Sequence, residues 1–338
     1  MRKLFFFVII ILSANYTSFS QDEPMRIVGN AQGTTFHITY YDKENRNFEN
    51  EIVKLLEDFD KSVSLYDSNS ILSRVNRNEK NVVLDKWFTV CFNTCQEVSK
   101  ATDGAFDCTV GPLVSGWGFS FKKKLKMDST MVDSMLKFIG YQMVALKDGK
   151  IIKKDPRISL DFNALGQGYS VDLVSELLDS FKISSYIVEI GGEVFAKGTK
   201  PNGDYWKVGI EKPIDNTTGE NPLKAVAKIK DKSLNTSGNY RKFYIENGIR
   251  YSHEINPKTG YPAHNTLLSA TVLAPDCITS DAYCTAFMVM GLEKSIAFLA
   301  KHPELSAYLI YSDEKGNYKV YETQDMKSIV TELEEEKQ

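Results

Sequence analysis

The residues of this chain whose types and spacing could do chemistry cluster between residues 235 and 291. Asp281 and Thr285 lie four apart in a segment with helical spacing, so their side chains share one helix face, with origins roughly 6 Å apart. A carboxylate and a hydroxyl are hard oxygen ligands, which suit Mg²⁺ rather than Zn²⁺. Ser280-Asp281 is also a good helix start, so a purely structural role fits the same pattern.

His253 is the candidate for proton transfer. It follows a predicted strand and precedes the turn NPKTG at 256–260, and a rigid turn after a strand often presents a functional side chain. The unperturbed pKa of imidazole lies near working pH. On this pattern alone, a hydrogen-bonded structural histidine is the more common interpretation. Taken with the two oxygen ligands, His253 favours metal-assisted chemistry on a phosphate ester.

Glycines mark two further segments where a ligand could approach the backbone. The sequence DFNALGQGY at 161–169 is typical of a strand, a loop and a helix start, and helix N-termini attract phosphate. Its spacing is neither the Rossmann nor the P-loop pattern, so a tight structural turn fits as well. Gly191-Gly192-Glu193 follows a buried strand and permits either ligand approach or a bulge. Phe106, close after Gly104, could stack on a planar ring or pack in the core.

The elements that must position these residues are a mixture of helices and hairpins. Apolar spacing and turn residues predict helices over 49–62, 87–101, 128–139, 169–181 and 280–290, with a charged helix from Lys327. The predicted strands are 34–41, 158–162, 186–190, 206–210, 225–229, 233–236, 243–245, 249–252, 267–273, 307–311 and 318–321. Because regular strand–helix alternation is missing and hairpins are frequent, the sequence predicts an α+β fold with mainly antiparallel sheets and flanking helices.

The composition is that of an ordinary globular protein. The 338 residues are 42% hydrophobic, which is enough for a sizeable core. The net charge is −3, from 41 basic and 44 acidic residues, so no basic excess points to nucleic acid and no such partner is expected. Five cysteines without a C-x-x-C pair argue against a disulfide-dense scaffold or a zinc knuckle, and buried free thiols are predicted.

The first twenty residues have the outline of a signal peptide. Arg2 and Lys3 precede an apolar run at 4–12, and Ser18-Phe19-Ser20 supplies small residues at the cleavage positions. The run is short for a membrane span, and an uncleaved anchor is the alternative. Because no cysteine follows the apolar run, no lipobox is expected. We therefore predict an exported protein, periplasmic or at the periplasmic face of the inner membrane. Its predicted divisions are a signal peptide (1–20), one catalytic domain (25–325) and a charged helix or tail (326–338).

Five blocks of sequence, taken in order, resemble the ApbE family, the FAD:protein FMN transferases that attach FMN covalently to partner proteins. The resemblance spans nearly the whole mature chain. The blocks are QGTTFHITYY (32–41), GAFDCTVGPLV (104–114), LDFNALGQGYSVD (160–172), VEIGGEVFAKG (188–198), and SGNYRKFYIENGIRYSHEINPKTGYP (237–262) with SDAYCTAFMVMG (280–291).

The resemblance implies the α+β flavin-transferase fold, with T-fold-like elements, enclosing FAD as substrate between its lobes. It implies Mg²⁺ held by the Ala164 backbone carbonyl with Asp281 and Thr285. His253 matches the family's SH-x-I-D/N-P histidine, as the base or as a transient phospho-histidine. The implied FAD-contact positions are Gln32, Tyr66, Ala105, Phe106, Asp107, Asp161, Gln167 and Ile255.

The implied reaction is Mg²⁺-dependent transfer of FMN from FAD to a threonine hydroxyl of an extracytoplasmic acceptor, releasing AMP. By family analogy, the acceptor is a subunit of an Rnf- or Nqr-type complex or another flavin-carrying domain. An FAD diphosphatase and a non-enzymatic periplasmic flavin-binding protein are the alternatives. The chain departs from the family at Gln32, where Met is common, at Gln167, where many members have a charged residue, and at Cys284. Some members have a second Asp at the position of Cys284. The sequence therefore does not distinguish transfer of FMN to a protein from hydrolysis of FAD.

Overall fold

The structure, a computed structural model of the chain, describes residues 23–120, 124–214, 222–240, 243–246 and 249–333. The predicted signal peptide at 1–20 and the predicted Asn247-Gly248 turn lie outside the described residues. Within the described ranges, no helix is long and apolar enough to cross a membrane.

The strands build one large sheet and three small ones. Eight strands form the main sheet in the order β1-β2-β5-β6-β9-β12-β13-β14, and each neighbouring pair is antiparallel. A smaller sheet has the order β15-β8-β7, while β3 pairs with β4 and β10 with β11. In chain order the strands are β1 (Met25–Ala31), β2 (Thr34–Tyr40), β3 (Val144–Lys147), β4 (Lys150–Lys153), β5 (Tyr186–Ile190), β6 (Glu193–Lys197), β7 (Trp206–Glu211), β8 (Leu223–Ile229), β9 (Lys232–Gly238), β10 (Phe243–Glu246), β11 (Ile249–Ser252), β12 (Leu267–Ala274), β13 (Ser306–Ser312), β14 (Tyr318–Glu322) and β15 (Val330–Glu332).

Two of the helices matter most for the position of the site. They are α6 and α7, which pack on one another and on the main sheet. In chain order the described helices are α1 (Glu49–Val63), α2 (Ile71–Asn76), α3 (Lys86–Ala101), α4 (Gly111–Gly116), α5 (Ser129–Leu136), α6 (Gly166–Ser180), α7 (Cys277–Met290), α8 (Leu292–Leu299) and α9 (Gln324–Ile329), with a 3₁₀ turn at Tyr141–Met143.

One face of the main sheet is covered by these two helices. Val171 and Val174 of α6 pack against Ile38 of β2 and Val188 of β5. Further along the sheet, α7 packs on β12 and β13 through side chains that include Phe287. The surroundings of α7 explain its composition, since a helix that is apolar around most of its circumference must be buried on several sides. It carries the segment Asp281–Thr285 into the middle of the molecule.

The opposite face of the main sheet is covered by the smaller sheet of β7, β8 and β15. Trp206 of β7 and Ala227 of β8 share an apolar cluster with Leu234 of β9 and with Tyr308 of β13. Successive residues of β13 therefore face different cores, because strand side chains alternate between faces. A strand buried on both faces reads as a continuous apolar run, as AYLIY does at 307–311.

The α+β architecture with antiparallel sheets and flanking helices is confirmed, but the predicted strand at 158–162 is wrong. Ile158, Leu160 and Phe162 are buried as an alternating strand would require. The Leu160 N–H donates to Asn76 Oδ1 at 2.7 Å, and its carbonyl accepts from Asn76 Nδ2 at 2.8 Å. An asparagine side chain at the end of α2 thus supplies the hydrogen bonds that a neighbouring strand would have made.

Two predicted helix starts are corrected. α7 begins at Cys277 rather than at Ser280, because Asp276 is its N-cap and accepts from the Thr279 N–H at 3.0 Å. Asp281 therefore lies inside the helix and is not its cap. α6 begins at Gly166 rather than at Tyr169, so the glycines of this segment form the first helical turn.

The C-terminal segment is not one charged helix from Lys327. α9 ends at Ile329, and the next three residues form β15, which pairs antiparallel with β8. Met326 is fully buried against the smaller sheet, and the Glu332 carboxylate binds Lys224 of β8 at 2.8 Å. The charged side chains suggested a solvated helix, but an unpaired strand edge on β8 offered hydrogen bonds to this segment. Residues 334–338 lie outside the described part of the chain.

Candidate active site

Two hairpin tips and the start of α6 meet at one end of the main sheet. The β1–β2 hairpin turns at Gln32-Gly33 and the β5–β6 hairpin at Gly191-Gly192, all four with positive φ as in two-residue hairpin turns. Because β2 and β5 are antiparallel neighbours, these tips lie side by side, and the Gly191 N–H donates to Thr35 O at 3.0 Å. Gly191-Gly192 is thus a hairpin turn rather than a bulge.

Gln167 in the first turn of α6 packs directly against the Gly191 tip. A Cβ on Gly191 would lie 2.7 Å from Gln167 Nε2. The Ser170 hydroxyl lies 2.6 Å from Gln167 O and 3.2 Å from Gln32 Oε1. The Gln32 side chain also forms a hydrogen bond with the Asp60 carboxyl of α1. Burial raises the pKa of Asp60. The structure therefore brings Gln32 and Gln167 together, although they are far apart in sequence.

Asp281 is a buried carboxyl facing the same helix start. Its Oδ2 accepts the Gly168 N–H at 3.0 Å. Burial raises the pKa of Asp281 well above its usual range, and this single backbone N–H offsets the effect only in part. Among the described residues no charged partner of this carboxyl is found, and a bound cation would stabilise its ionised form.

Gly168 allows α6 and α7 to approach closely enough for this contact. A Cβ there would lie 2.5 Å from the Cys277 carbonyl oxygen and 2.8 Å from Asp281 Cβ. Gly168 is the third residue of α6, so its N–H is one of the first N–H groups that have no carbonyl partner within the helix, and Asp281 supplies the acceptor. In the described part of the chain, the Ala164 carbonyl oxygen accepts no hydrogen bond.

These donors fit the metal that the sequence implied. Ala164 packs against the cluster that contains Ala282 of α7, and Thr285 follows Asp281 by one helical turn, partly exposed. A carbonyl, a carboxylate and a hydroxyl are hard oxygen donors, and Mg²⁺ commonly takes one or two carboxylates with phosphate and water. Over the described ranges, no cluster of three or more His, Cys, Asp or Glu could hold an ion.

The N-terminus of α7 is anchored by a residue to which sequence reasoning assigned no role. The Asp172 carboxylate of α6 accepts the Cys277 N–H at 2.7 Å and the Ile278 N–H at 2.8 Å. Burial raises the pKa of Asp172 to about 8, although both backbone bonds lower it. Asp172 ends the block LDFNALGQGYSVD, and a carboxylate about one turn into the helix predicted over 169–181 was the available signal. It positions the helix that carries Asp281.

The loop 104–109 is held by its own hydrogen bonds. The Asp107 carboxylate accepts the Thr109 N–H at 2.8 Å and the Tyr141 N–H at 2.7 Å, and burial raises its pKa. The Phe106 ring packs in the core, as the core-packing alternative expected. Ala105 between them is partly exposed. A ligand would therefore meet this loop mainly through its backbone.

Of the other implied contact residues, Asp161 lies next to this loop, because its N–H donates to the Cys108 carbonyl at 2.7 Å. Asp161 packs beside Gly111 at the start of α4 and accepts the Asn163 N–H at 2.9 Å. The Tyr66 ring, after α1, is 70% exposed, which makes its face accessible to a planar ligand. Ile255 is buried with Leu113 of α4, and its backbone bridges to Pro262.

His253 lies just past the end of β11, where the chain bends. Its ring meets Phe119 edge-on, with centroids 6.4 Å apart, and its Nδ1 lies 3.3 Å from Glu254 Oε1. Lys258 in the following turn pairs with Asp103, which places the turn beside the 104–109 loop. Within the described residues, no contact joins His253 directly to Asp281 or Thr285. The connection runs through α4 and the segment 158–165.

A separate surface cleft, of about 560 Å³, contains none of these residues. It lies beyond the other end of β2, between Tyr41 and Lys182, and its lining includes both basic and acidic side chains.

Comparison with known proteins agrees with this geometry. The model of the ApbE family matches residues 32–309. The FAD:protein FMN transferase of Haemophilus influenzae is 34% identical over 332 residues, which cover 94% of this chain and 95% of that protein. The protein of the same name from Vibrio cholerae is 32% identical over 323 residues, 91% of this chain and 93% of that protein.

Solved structures show the same fold. The flavin transferase ApbE from Vibrio cholerae matches with a TM-score of 0.81 and 30% identity over 91% of this chain and 99% of that chain. The apo form of the Pseudomonas stutzeri flavinyl transferase ApbE matches with a TM-score of 0.82 and 27% identity, covering 92% and 98%. The described fold, the family model and these relatives agree over nearly the whole chain, and the resemblance inferred from the five sequence blocks is confirmed. The chain belongs to the ApbE family, has the α+β flavin-transferase fold and is a transferase.

Proposed function

We propose that this protein transfers FMN from FAD to a threonine hydroxyl of an acceptor protein, with Mg²⁺ bound and AMP released. The observation that carries the proposal is the buried Asp281 carboxyl, whose Oδ2 accepts the Gly168 N–H at the start of α6. Hard oxygen donors at a helix N-terminus suit a cation together with a diphosphate. The names of the relatives support flavin transfer.

The residues divide into three roles. Ala164, Asp281 and Thr285 would hold the ion, and bound Mg²⁺ would neutralise charge on the diphosphate during the reaction. Gln32 and Gln167, at the hairpin tips and the start of α6, would orient the FAD. The exposed Tyr66 ring and the 104–109 backbone would bound its planar part.

The chemical step is a substitution at phosphorus. The threonine oxygen of the acceptor attacks the phosphorus on the FMN side and forms a new P–O bond. The bond from this phosphorus to the bridging oxygen breaks, and the bridging oxygen leaves with AMP. His253 takes the proton of the hydroxyl, because a neutral imidazole is a suitable base near neutral pH.

The proposal includes an extracytoplasmic setting. The outline of a signal peptide at 1–20 supports export to the periplasm, with or without association with the inner membrane. An acceptor reached there would be a flavin-carrying domain, such as a subunit of an Rnf- or Nqr-type complex.

The test is mass spectrometry of such an acceptor domain after incubation with the protein, FAD and Mg²⁺. We expect FMN to be added at one threonine, AMP to appear in equal amount, and EDTA or a Thr→Val acceptor to prevent both. Release of free FMN and AMP at the same rate without acceptor would instead identify an FAD diphosphatase. FAD that is bound but unchanged in every arm would identify a flavin-binding protein.

A further inference from the structure

Glu254 is a buried carboxylate next to the candidate base. It is 4% exposed, and neither of its side-chain oxygens has a hydrogen-bond partner in the described residues. Glutamate is rarely fully buried unless paired, and a buried polar group without a partner needs a specific explanation. The burial of Glu254 could not be predicted from its neighbours, because it follows a strand and precedes a turn, where exposed charges are common.

The geometry points this carboxylate at His253. Side chains of adjacent residues face opposite ways in a strand, but β11 ends at Ser252 and the chain bends at His253. The bend lets Glu254 Oε1 approach His253 Nδ1 to 3.3 Å, although the two atoms do not form a hydrogen bond. Nδ1 is itself buried, while the side chain as a whole is 34% exposed. The exposed edge of the ring is therefore the one away from Nδ1, which includes Nε2.

The backbone holds Glu254 firmly in this position. Its carbonyl accepts the Ala263 N–H at 2.7 Å, and the next residue, Ile255, is buried against α4 and bridges to Pro262. The Trp117 indole N–H donates to the Gly260 carbonyl at 2.8 Å, which fixes the turn in between. A carboxylate mounted on this frame has little freedom to turn towards solvent.

We propose that Glu254 is a positioning residue that acts through His253. Its carboxylate accepts a hydrogen bond from Nδ1–H, so that the lone pair is on Nε2, at the exposed edge. Nε2 then takes the hydroxyl proton of the acceptor, while the proton on Nδ1 stays in place. The Glu254 carboxylate faces the resulting imidazolium until Nε2 passes its new proton to water. A carboxylate behind a histidine base acts in this way in hydrolytic triads. The inference rests on the proposed function for its kinetic consequence only.

The kinetic test compares single and double variants in the FMN-transfer assay. Glu254→Gln should lower kcat at least about tenfold with the KM for FAD unchanged, since a positioned base contributes about 10²- to 10⁴-fold. Glu254→Asp should recover part of the loss. Glu254→Gln should have no further effect in a His253→Ala background, because two residues that act as one unit are not additive. Unchanged kcat in Glu254→Gln, or additive losses in the double variant, would overturn the inference.

The matched control is the histidine–glutamate pair on the surface. His302 Nδ1 lies 2.8 Å from Glu304 Oε1 after α8, so Glu304→Gln removes the same kind of partner from an exposed histidine. We expect Glu304→Gln to transfer FMN at the rate of the unsubstituted protein.

A spectroscopic test does not depend on transfer. The chain has four histidines, so ¹⁵N labelling of histidine with His253→Ala for assignment isolates the His253 ring signals. We expect the proton on Nδ1 in the full-length protein and a shift towards Nε2–H in Glu254→Gln. The same tautomer in both proteins would refute the inference. If the tautomer shifts but the acceptor is never modified, the proposed function fails while the positioning role of Glu254 stands.

Discussion

At the scale of single residues, His253 and Asp281 lie in different surroundings and should fail in different ways. His253 is partly exposed, and its ring contacts Phe119 and lies beside the buried Glu254 carboxylate. We predict that His253→Ala binds FAD as before but loses about 10²- to 10⁴-fold in transfer rate, the range for a general base. FAD titration and the mass-spectrometric assay measure the two effects. The surface variant His302→Ala is the control, and unimpaired transfer in His253→Ala would exclude the base role.

Asp281 should be needed for the metal and not for the fold. Asn at this position can still accept the Gly168 N–H but lacks the charge, and removing an uncompensated buried charge seldom destabilises a protein. We predict that Asp281→Asn unfolds at or above the temperature of the unsubstituted protein while Mg²⁺ binding in the presence of FAD is lost. Thr285→Val, which removes one neutral oxygen, should weaken binding less. Calorimetric titration that finds normal Mg²⁺ affinity in Asp281→Asn would remove this residue from the metal site.

Site residues that act through a side chain could be predicted from the sequence, whereas those that act through a backbone atom could not. Asp281, Thr285 and His253 could be selected because their side chains carry the chemistry and lie at informative spacing. Ala164 could come only from the family resemblance, because a backbone carbonyl has no side-chain signature. The burial of Glu254 could not be predicted, since it depends on the bend after β11 and on packing against α4.

At the scale of elements, the contact between α6 and α7 determines where Asp281 lies. Gly168 has no room for a Cβ, whereas Gly166, half a turn earlier in the same helix, has no neighbouring atom within 4 Å of that position. We predict that Gly168→Ala destabilises the protein by about 1–3 kcal/mol through overpacking. Gly166→Ala should be neutral or stabilising by up to about 1 kcal/mol through helix propensity. Equal stability of the two variants in denaturant unfolding would contradict this helix contact.

The Asp172 anchor of α7 should make stability depend on pH. Burial raises its pKa from an ordinary value near 4 to about 8, so the folded state binds the proton more tightly than the unfolded state. The contribution of this group is then fully present below about pH 4 and declines as pH rises towards about 8. We predict that the stability advantage over Asp172→Ala, about 1–3 kcal/mol for a lost buried acceptor, shrinks across this window. Asp133→Ala, exposed on α5, is the control, and an advantage that grows with pH would show that the carboxylate is the bound form.

The elements themselves were predictable where local pattern and tertiary context agreed. β5 and the core of α1 follow from apolar spacing alone, and their bounds match within a residue. The segment 158–162 shows the opposite case, since its alternation is real but Asn76 replaces the partner strand. The C-terminal strand β15 likewise depends on a free edge of β8 that no local pattern reveals.

At the scale of the whole molecule, the site exists only because distant parts of the chain meet. Gln32 lies on the first hairpin, Gln167 at the start of α6 and Asp281 within α7, and the main sheet and α6–α7 packing hold them together. The sequence predicted the antiparallel α+β class but not the three layers, because which face of each strand meets helices or the smaller sheet is decided by long-range pairing. A ligand that binds all three regions should therefore bind only the folded molecule.

Binding of FAD across these regions should stabilise the whole fold. A ligand that binds only the folded state raises the free energy of unfolding by RT ln(1 + [L]/Kd), about 2.7 kcal/mol at a hundredfold excess over Kd. We predict that FAD with Mg²⁺ raises the unfolding temperature by several degrees in one cooperative transition, that EDTA removes part of the increase, and that Asp281→Asn with FAD behaves as the EDTA sample does. His253→Ala should keep the full increase, because His253 acts on the acceptor rather than holding FAD. Differential scanning calorimetry measures all four samples. An increase that is insensitive to EDTA would place the metal outside FAD binding, and a loss in His253→Ala would make that residue part of the binding site.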